Sequence, residues 1–125
     1  AGGLKEGCEK VISGGPMMGF AMYTTDTPIT KTSSSILCMS KDEVSACEPT
    51  ACINCGRCVD ACPSRIIPSR LADFAERHDE EAFLKFNGLE CVECGSCSYV
   101  CPAKRQLKQA IGSMRKTALA NKKKK

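Results

Sequence analysis

Cys52-Ile-Asn-Cys55-Gly-Arg-Cys58-Val-Asp-Ala-Cys62-Pro63 and Cys91-Val-Glu-Cys94-Gly-Ser-Cys97-Ser-Tyr-Val-Cys101-Pro102 are one pattern written twice. Each reads C-x2-C-G-x-C-x3-C-P, with glycine and proline in register, and together they use eight of the eleven cysteines. Three thiolates two residues apart wrap a tight loop around three corners of a cube, and the fourth corner needs a ligand from another direction. This is the spacing of the bacterial iron–sulfur run, and its duplication predicts two [4Fe–4S] clusters.

In two-cluster proteins of this type the fourth cysteine of each run ligates the other run's cluster. The expected sets are therefore Cys52, Cys55, Cys58 and Cys101 for one cluster, and Cys91, Cys94, Cys97 and Cys62 for the other. Crossing of this kind ties both runs into one lobe. Gly56 and Gly95 supply turns in which backbone amides can face cluster sulfur. Pro63 and Pro102 fix the chain direction after each fourth ligand, and Pro102 suits the first position of a helix.

Two other readings of the cysteines are weaker. A disulfide scaffold does not place its thiols two residues apart twice over, and nothing in the chain looks secreted. Paired C-x2-C units also bind zinc, but zinc sites hold two pairs apart across a longer loop, without a third cysteine two residues on and a fourth before proline.

At 125 residues, with four Phe, two Tyr and no Trp, the core is thin, and the clusters are expected to serve as the core of residues 47–102. Many free thiols imply a reducing compartment. There is no signal peptide and no apolar run long enough to span a bilayer. The opening Ala-Gly-Gly, without a methionine, reads as an excised piece of something longer. The net charge of +4 conceals an asymmetry: residues 103–125 carry nine Lys or Arg and no acid, whereas residues 1–102 balance to −5. A basic tail on an acidic lobe suits an acidic partner or anionic lipid headgroups, or simply a solvated tail.

Residues 1–46 have another texture, rich in Gly, Ser and Thr. Glu9–Ser13 and Ser34–Met39 read as strands, with Gly14-Gly15-Pro16-Met17-Met18-Gly19 a turn after the first. That glycine loop lacks the G-x-G-x-x-G order of a dinucleotide site. Cys8 and Cys38 read as small buried hydrophobes and Cys47 as a bystander near the clusters. Ser40 and Glu43 predict a capping box opening a helix. Between the runs, Leu71, Phe74, Ala75 and His78 follow helical spacing after Pro68-Ser69, and Asp79 is placed to cap a second short helix that carries Phe83 and Phe86 and closes at Asn87-Gly88. His78 is the one histidine and reads as a surface or packing residue. A third helix carries Leu107, Ala110, Ile111 and Met114 on one stripe, weakened by Gly112.

The predicted class is therefore α+β: a β-rich remnant at 1–46, an α-helical two-cluster ferredoxin-type domain at 47–118, and a disordered basic tail at 119–125. Gly14–Gly19, then Pro28-Ile29-Thr30-Lys31, then the two cysteine runs resemble the C-terminal part of the C subunit of the Rnf electron transport complexes. That family comprises ion-translocating ferredoxin:NAD oxidoreductases. The resemblance implies a fold in which 1–46 closes a β-grasp-related domain, and it implies FMN and NAD(H) sites in an upstream domain absent from this chain. It also implies partners among the other subunits and a ferredoxin or ferredoxin-like carrier, and a peripheral position on the cytoplasmic face of the bacterial plasma membrane. The helical insert between the runs resembles the iron–sulfur subunits of fumarate reductases. Cobalamin reductases share the architecture and are the close competitor.

The expected role is a relay of single electrons, with the cysteines as ligands and no catalytic residue in the chain. An iron–sulfur sensor is a second reading. A zinc module with a nucleic-acid-binding tail is a third, and the tail's lack of interleaved aromatics speaks against it, so no nucleic-acid partner is expected.

Overall fold

The computed structural model describes residues 2–124, which divide into two compact units at Glu48/Pro49. In the first unit, β1 (Lys10–Ser13), β2 (Phe20–Ala21) and β3 (Ile36–Met39) form an antiparallel sheet in the order β2-β1-β3. The register pairs Ile12 with Ala21 and Val11 with Cys38. The β-branched run of β1 takes the centre, where both edges of its backbone are satisfied. Gly14–Gly19 is the turn that carries β1 into β2: the Gly19 amide donates to the Gly15 carbonyl at 2.8 Å. A β-carbon at Gly19 would stand 2.6 Å from the carbonyl oxygens of Ser13 and Gly15, so the turn closes only with glycine there.

Three expectations for this unit are corrected. The predicted helix after Ser40 does not form. Instead Asp42 anchors a turn, accepting from the Ser45 amide at 3.3 Å and from the Ser45 hydroxyl, and pairing with Lys10 at 2.9 Å. Asp42 competes with Ser40 for the capping role and holds the backbone in a turn rather than a helix. Cys38 is exposed and Cys8 only half-buried, not core residues, because among the described residues of the first unit only Ile12 is a buried hydrophobe.

The second unit is helical: α1 (Arg57–Asp60), α2 (Pro68–Glu76), α3 (Glu80–Lys85), α4 (Ser96–Tyr99) and α5 (Leu107–Lys124). Pro68 stands in the first turn of α2, where its missing N–H costs nothing. Leu71, Ala72 and Ala75 of α2 pack against Leu107, Ile111 and Met114 of α5, the stripe that the spacing predicts. Leu71 and Phe83 are fully buried and Ile111 is 1% exposed. Each contributes about 1.5–3 kcal/mol of burial.

The turn between α2 and α3 does two jobs. The Asp79 amide donates to the Phe74 carbonyl at 2.9 Å and the His78 amide to Ala75 at 3.2 Å, a Schellman closure with His78 at φ 56° in the left-handed position. Asp79 Oδ1 then accepts from the Ala82 amide at 2.9 Å and opens α3. His78 is exposed and lies past the end of α2. Phe74 and Phe86 meet with ring centroids 5.0 Å apart. Gly88 begins a short 3-10 turn, and a β-carbon there would stand 2.3 Å from the Phe83 ring, so the close packing of that ring requires glycine.

Helix α5 departs from expectation at both ends. Pro102 does not start it; residues 102–106 make a turn in which Lys104 is left-handed at φ 54°. The helix begins at Leu107, and Ser98 Oγ accepts from the Lys108 amide at 2.9 Å, so the second cysteine run caps it. It then continues through Lys124, past the boundary at 119 expected for a disordered tail, with Ala118 buried two-thirds of the way along; Lys125 of that tail lies outside the described residues.

Candidate metal centres

The two cysteine runs fold as copies of one backbone, offset by 39 residues. Left-handed φ values recur at Asn54 and Glu93 (both 55°), at Gly56 (78°) and Gly95 (85°), and at Arg65 (53°) and Lys104 (54°). A one-turn helix follows each glycine, and the amide three residues beyond each fourth cysteine returns to that cysteine's carbonyl: Arg65 to Cys62 at 3.1 Å, Lys104 to Cys101 at 3.2 Å. These coils point the first three side chains of a run inward and turn the fourth away. Asparagine and glycine tolerate left-handed backbone; Glu93, Arg65 and Lys104 adopt it at a cost.

Two recesses result. The outer one is lined by Cys52, Cys55, Cys58 and Cys101, with Ser69, Arg105 and Leu107 among its walls, and encloses about 380 Å³ of atom-free space partly open to solvent. The inner one is lined by Cys91, Cys94, Cys97 and Cys62, with Ile66, Lys108 and Ile111, and holds about 350 Å³ of atom-free space, likewise partly open to solvent. Each recess thus gathers three cysteines of one run and the fourth of the other, the grouping that the crossed assignment expects. Cys8, Cys38 and Cys47 lie in the other unit and line neither recess.

The recesses differ in cover. Cys52 and Cys55 are exposed, whereas Cys91 and Cys94 are half-buried; Cys58 and Cys97 are buried in both copies. Burial pushes the Cys97 thiol up to about 11 and raises Cys91. The Ser96 hydroxyl beside Cys94 lowers its thiol. Buried thiols resist ionising alone, and a bound cation reverses that balance by taking the thiolate as ligand. The Glu93 amide donates to Cys91 Sγ at 3.4 Å, a backbone donor already facing sulfur.

The donor chemistry fits an iron–sulfur group better than a single ion. Among the described residues, no three His, Cys, Asp or Glu side chains converge closely enough to hold one metal ion. Zinc–sulfur bonds of about 2.3 Å would draw four sulfurs onto one point. The thiols here are spread around two wider recesses, and among the lining residues only Glu93, at the inner one, is a carboxylate, and it is held by Arg115.

Charged groups brace both recesses. Arg105 Nη2 pairs with Asp73 at 3.0 Å and Glu76 at 2.9 Å, tying the outer recess to α2. Arg115 Nη1 pairs with Glu93 at 3.0 Å, tying α5 to the second run. Neither pair is legible in the sequence, because each joins residues more than 20 positions apart; the one available signal is the position of Arg105 close behind the last cysteine.

Residues 51–105 match the family model described as a 4Fe-4S dicluster domain. The chain is 43% identical over 98% of its length to the C subunit of a Na(+)-translocating ferredoxin:NAD(+) oxidoreductase complex from Acetobacterium woodii. It is 52% identical over 88% of its length to the C subunit of a proton-translocating ferredoxin:NAD(+) oxidoreductase complex from Clostridium ljungdahlii. The chain is a homologue of these C subunits. The C subunit of an ion-translocating oxidoreductase complex from Methanosarcina acetivorans is also similar, at 46% over 88% of the chain. The chain spans about a quarter of the length of these curated relatives, between 24% and 28%. Among the described residues no helix is long and apolar enough to cross a membrane.

Proposed function

We propose that the helical lobe is the electron-transfer part of an Rnf-type C subunit, holding two [4Fe–4S] clusters. The observation that carries this is the sorting of eight thiols into two recesses, each with three cysteines of one run and the fourth of the other. Cys52, Cys55, Cys58 and Cys101 hold the outer cluster; Cys91, Cys94, Cys97 and Cys62 hold the inner one. When bound, such a cluster supplies one-electron storage, with a potential set by burial, amide hydrogen bonds and nearby charge.

The chain's residues bind and tune. The Glu93 amide donates toward the Cys91 sulfur, the Arg105 guanidinium stands at the outer wall, and Leu107, Ile66 and Ile111 exclude water. No residue here acts as acid, base or nucleophile. The flavin and nicotinamide chemistry belongs to the part of the protein outside this span, and the lobe connects it to single-electron partners, a ferredoxin or ferredoxin-like subunit. Exposed Ile53 and Val92, equivalent positions at the rims of the two recesses, fit a lobe that meets other subunits. A peripheral position on the cytoplasmic side of the membrane follows from this reading.

Metal and acid-labile sulfide analysis of anaerobically purified protein tests it. About eight iron and eight sulfide per chain, with a visible spectrum that bleaches with dithionite, is the expected result. Zinc without sulfide would overturn it.

A further inference from the structure

One face of α5 packs against the second cysteine run. Lys108, Ile111, Gly112 and Arg115 are spaced i, i+3, i+4, i+7 and so share that face. Lys108 and Ile111 line the inner recess. Gly112 is buried, and a β-carbon there would stand 3.1 Å from Glu93 Oε2 and 3.5 Å from its carboxyl carbon. One turn on, Arg115 Nη1 donates to Glu93 Oε1 at 3.0 Å while Arg115 Nε donates to the Leu89 carbonyl at 3.2 Å. Glu93 reaches this pair from a left-handed backbone at φ 55°, where the equivalent residue of the first run is an asparagine. A mid-helix glycine, a strained glutamate and a two-pronged arginine are each unfavourable or demanding alone. They coincide at one place.

We propose that Glu93, Gly112 and Arg115 form a latch that holds α5 over the inner recess and sets how readily its contents exchange with solvent. Glycine at 112 lets the carboxylate lie against the helix, and Arg115 grips it and the backbone at Leu89 together. At the outer recess two of the four thiols are exposed. The latch residues are positioning residues: none of them is a proposed ligand. This inference rests on the iron–sulfur reading above for what fills the recess, and not for the geometry of the latch.

The test uses the full chain, purified anaerobically, with iron release to an iron(II) chelator followed in time and amide hydrogen exchange measured on the same samples. Wild type should release iron in two phases of about four each, the slow one from the inner recess. Arg115→Gln should speed the slow phase about tenfold and leave the fast phase unchanged. Arg115→Lys keeps the charge but cannot make both contacts, and should speed it by only about threefold. Gly112→Leu improves helix propensity yet displaces the Glu93 carboxylate, so it should also speed the slow phase; a purely helix-stabilising role predicts the opposite. Exchange should rise at residues 91–97 and not at 52–58. An unchanged slow phase, equal acceleration of both phases, or exchange rising equally in both runs would overturn the latch. Absence of iron and sulfide in wild type would sink the iron–sulfur reading, and the exchange measurement would still decide the latch.

Discussion

The outer and inner recesses are built by the same coil, yet one leaves two thiols open to water and the other half-buries them. The repeat fixes the shape of each loop: the left-handed positions, the one-turn helix, the return to the fourth cysteine. Helix α5 lines both recesses, with Leu107 at the outer one and Lys108 and Ile111 at the inner one, and the thiols still differ in exposure. Two recesses, each lined by four cysteines, thus differ in the solvation of their thiols, and in the proposed iron–sulfur reading burial is one lever on cluster potential. The duplication makes the pair, and the surroundings of each run, not its spacing, make the members unequal.

The largest expected effect removes what both recesses share. Phe83 is fully buried in the core that α2 and α5 share, and Phe83→Ala should cost about 3–5 kcal/mol by denaturant unfolding. Iron should then be lost from both sites together; loss from one alone would mean that the recesses do not rest on a common core. Smaller, and confined to one side, is Arg105→Ala. The guanidinium is 12% exposed, but Asp73 and Glu76 are 34% and 57% exposed, so solvent screening limits the cost to about 1–2 kcal/mol. Chelator access to the outer recess should rise, with the inner recess unmoved.

The smallest effect belongs to neither recess and serves as a control. The Ser45 hydroxyl and Lys10 hold the Asp42 carboxyl down at about 2, below its ordinary 3.8. A depressed carboxylate stabilises above its unfolded pKa, so this contribution is present above about pH 4 and fades as the pH falls toward about 2. Amide exchange in β1 and β3 should therefore quicken across that window, and Asp42→Asn should abolish the dependence. A β1–β3 exchange profile flat between about pH 4 and 2 in wild type would show that the Asp42 turn does not support the sheet.

How much of this is legible in the chain depends on the range of the interaction. The placing of Cys62 and Cys101 in opposite recesses is legible because the whole pattern is written twice and its spacing fixes both coils. Leu71, Phe83, Ile111 and Met114 are legible because helical spacing reports burial directly. The short helices α1 and α4 escape such a reading, since four residues carry no periodicity. The helix expected at Ser40 fails because Asp42, two residues on, finds Ser45 and Lys10 as partners, and Lys10 lies 32 positions away. Gly112 reads as a weakness in α5; its reason, the Glu93 carboxylate, lies in another loop upstream. Charge alone makes the tail look disordered, whereas Ala118 continues the buried stripe and carries the helix onward.

The crossed pairing is the central claim, and Cys62→Ser tests it most directly. Iron counting with chelator-release kinetics on the anaerobic protein should show about four iron lost per chain, with the slow phase gone and the fast phase intact. Cys62 would then serve the inner site with Cys91, Cys94 and Cys97. Loss of the fast phase with the slow one preserved would place Cys62 with its own run and contradict the account.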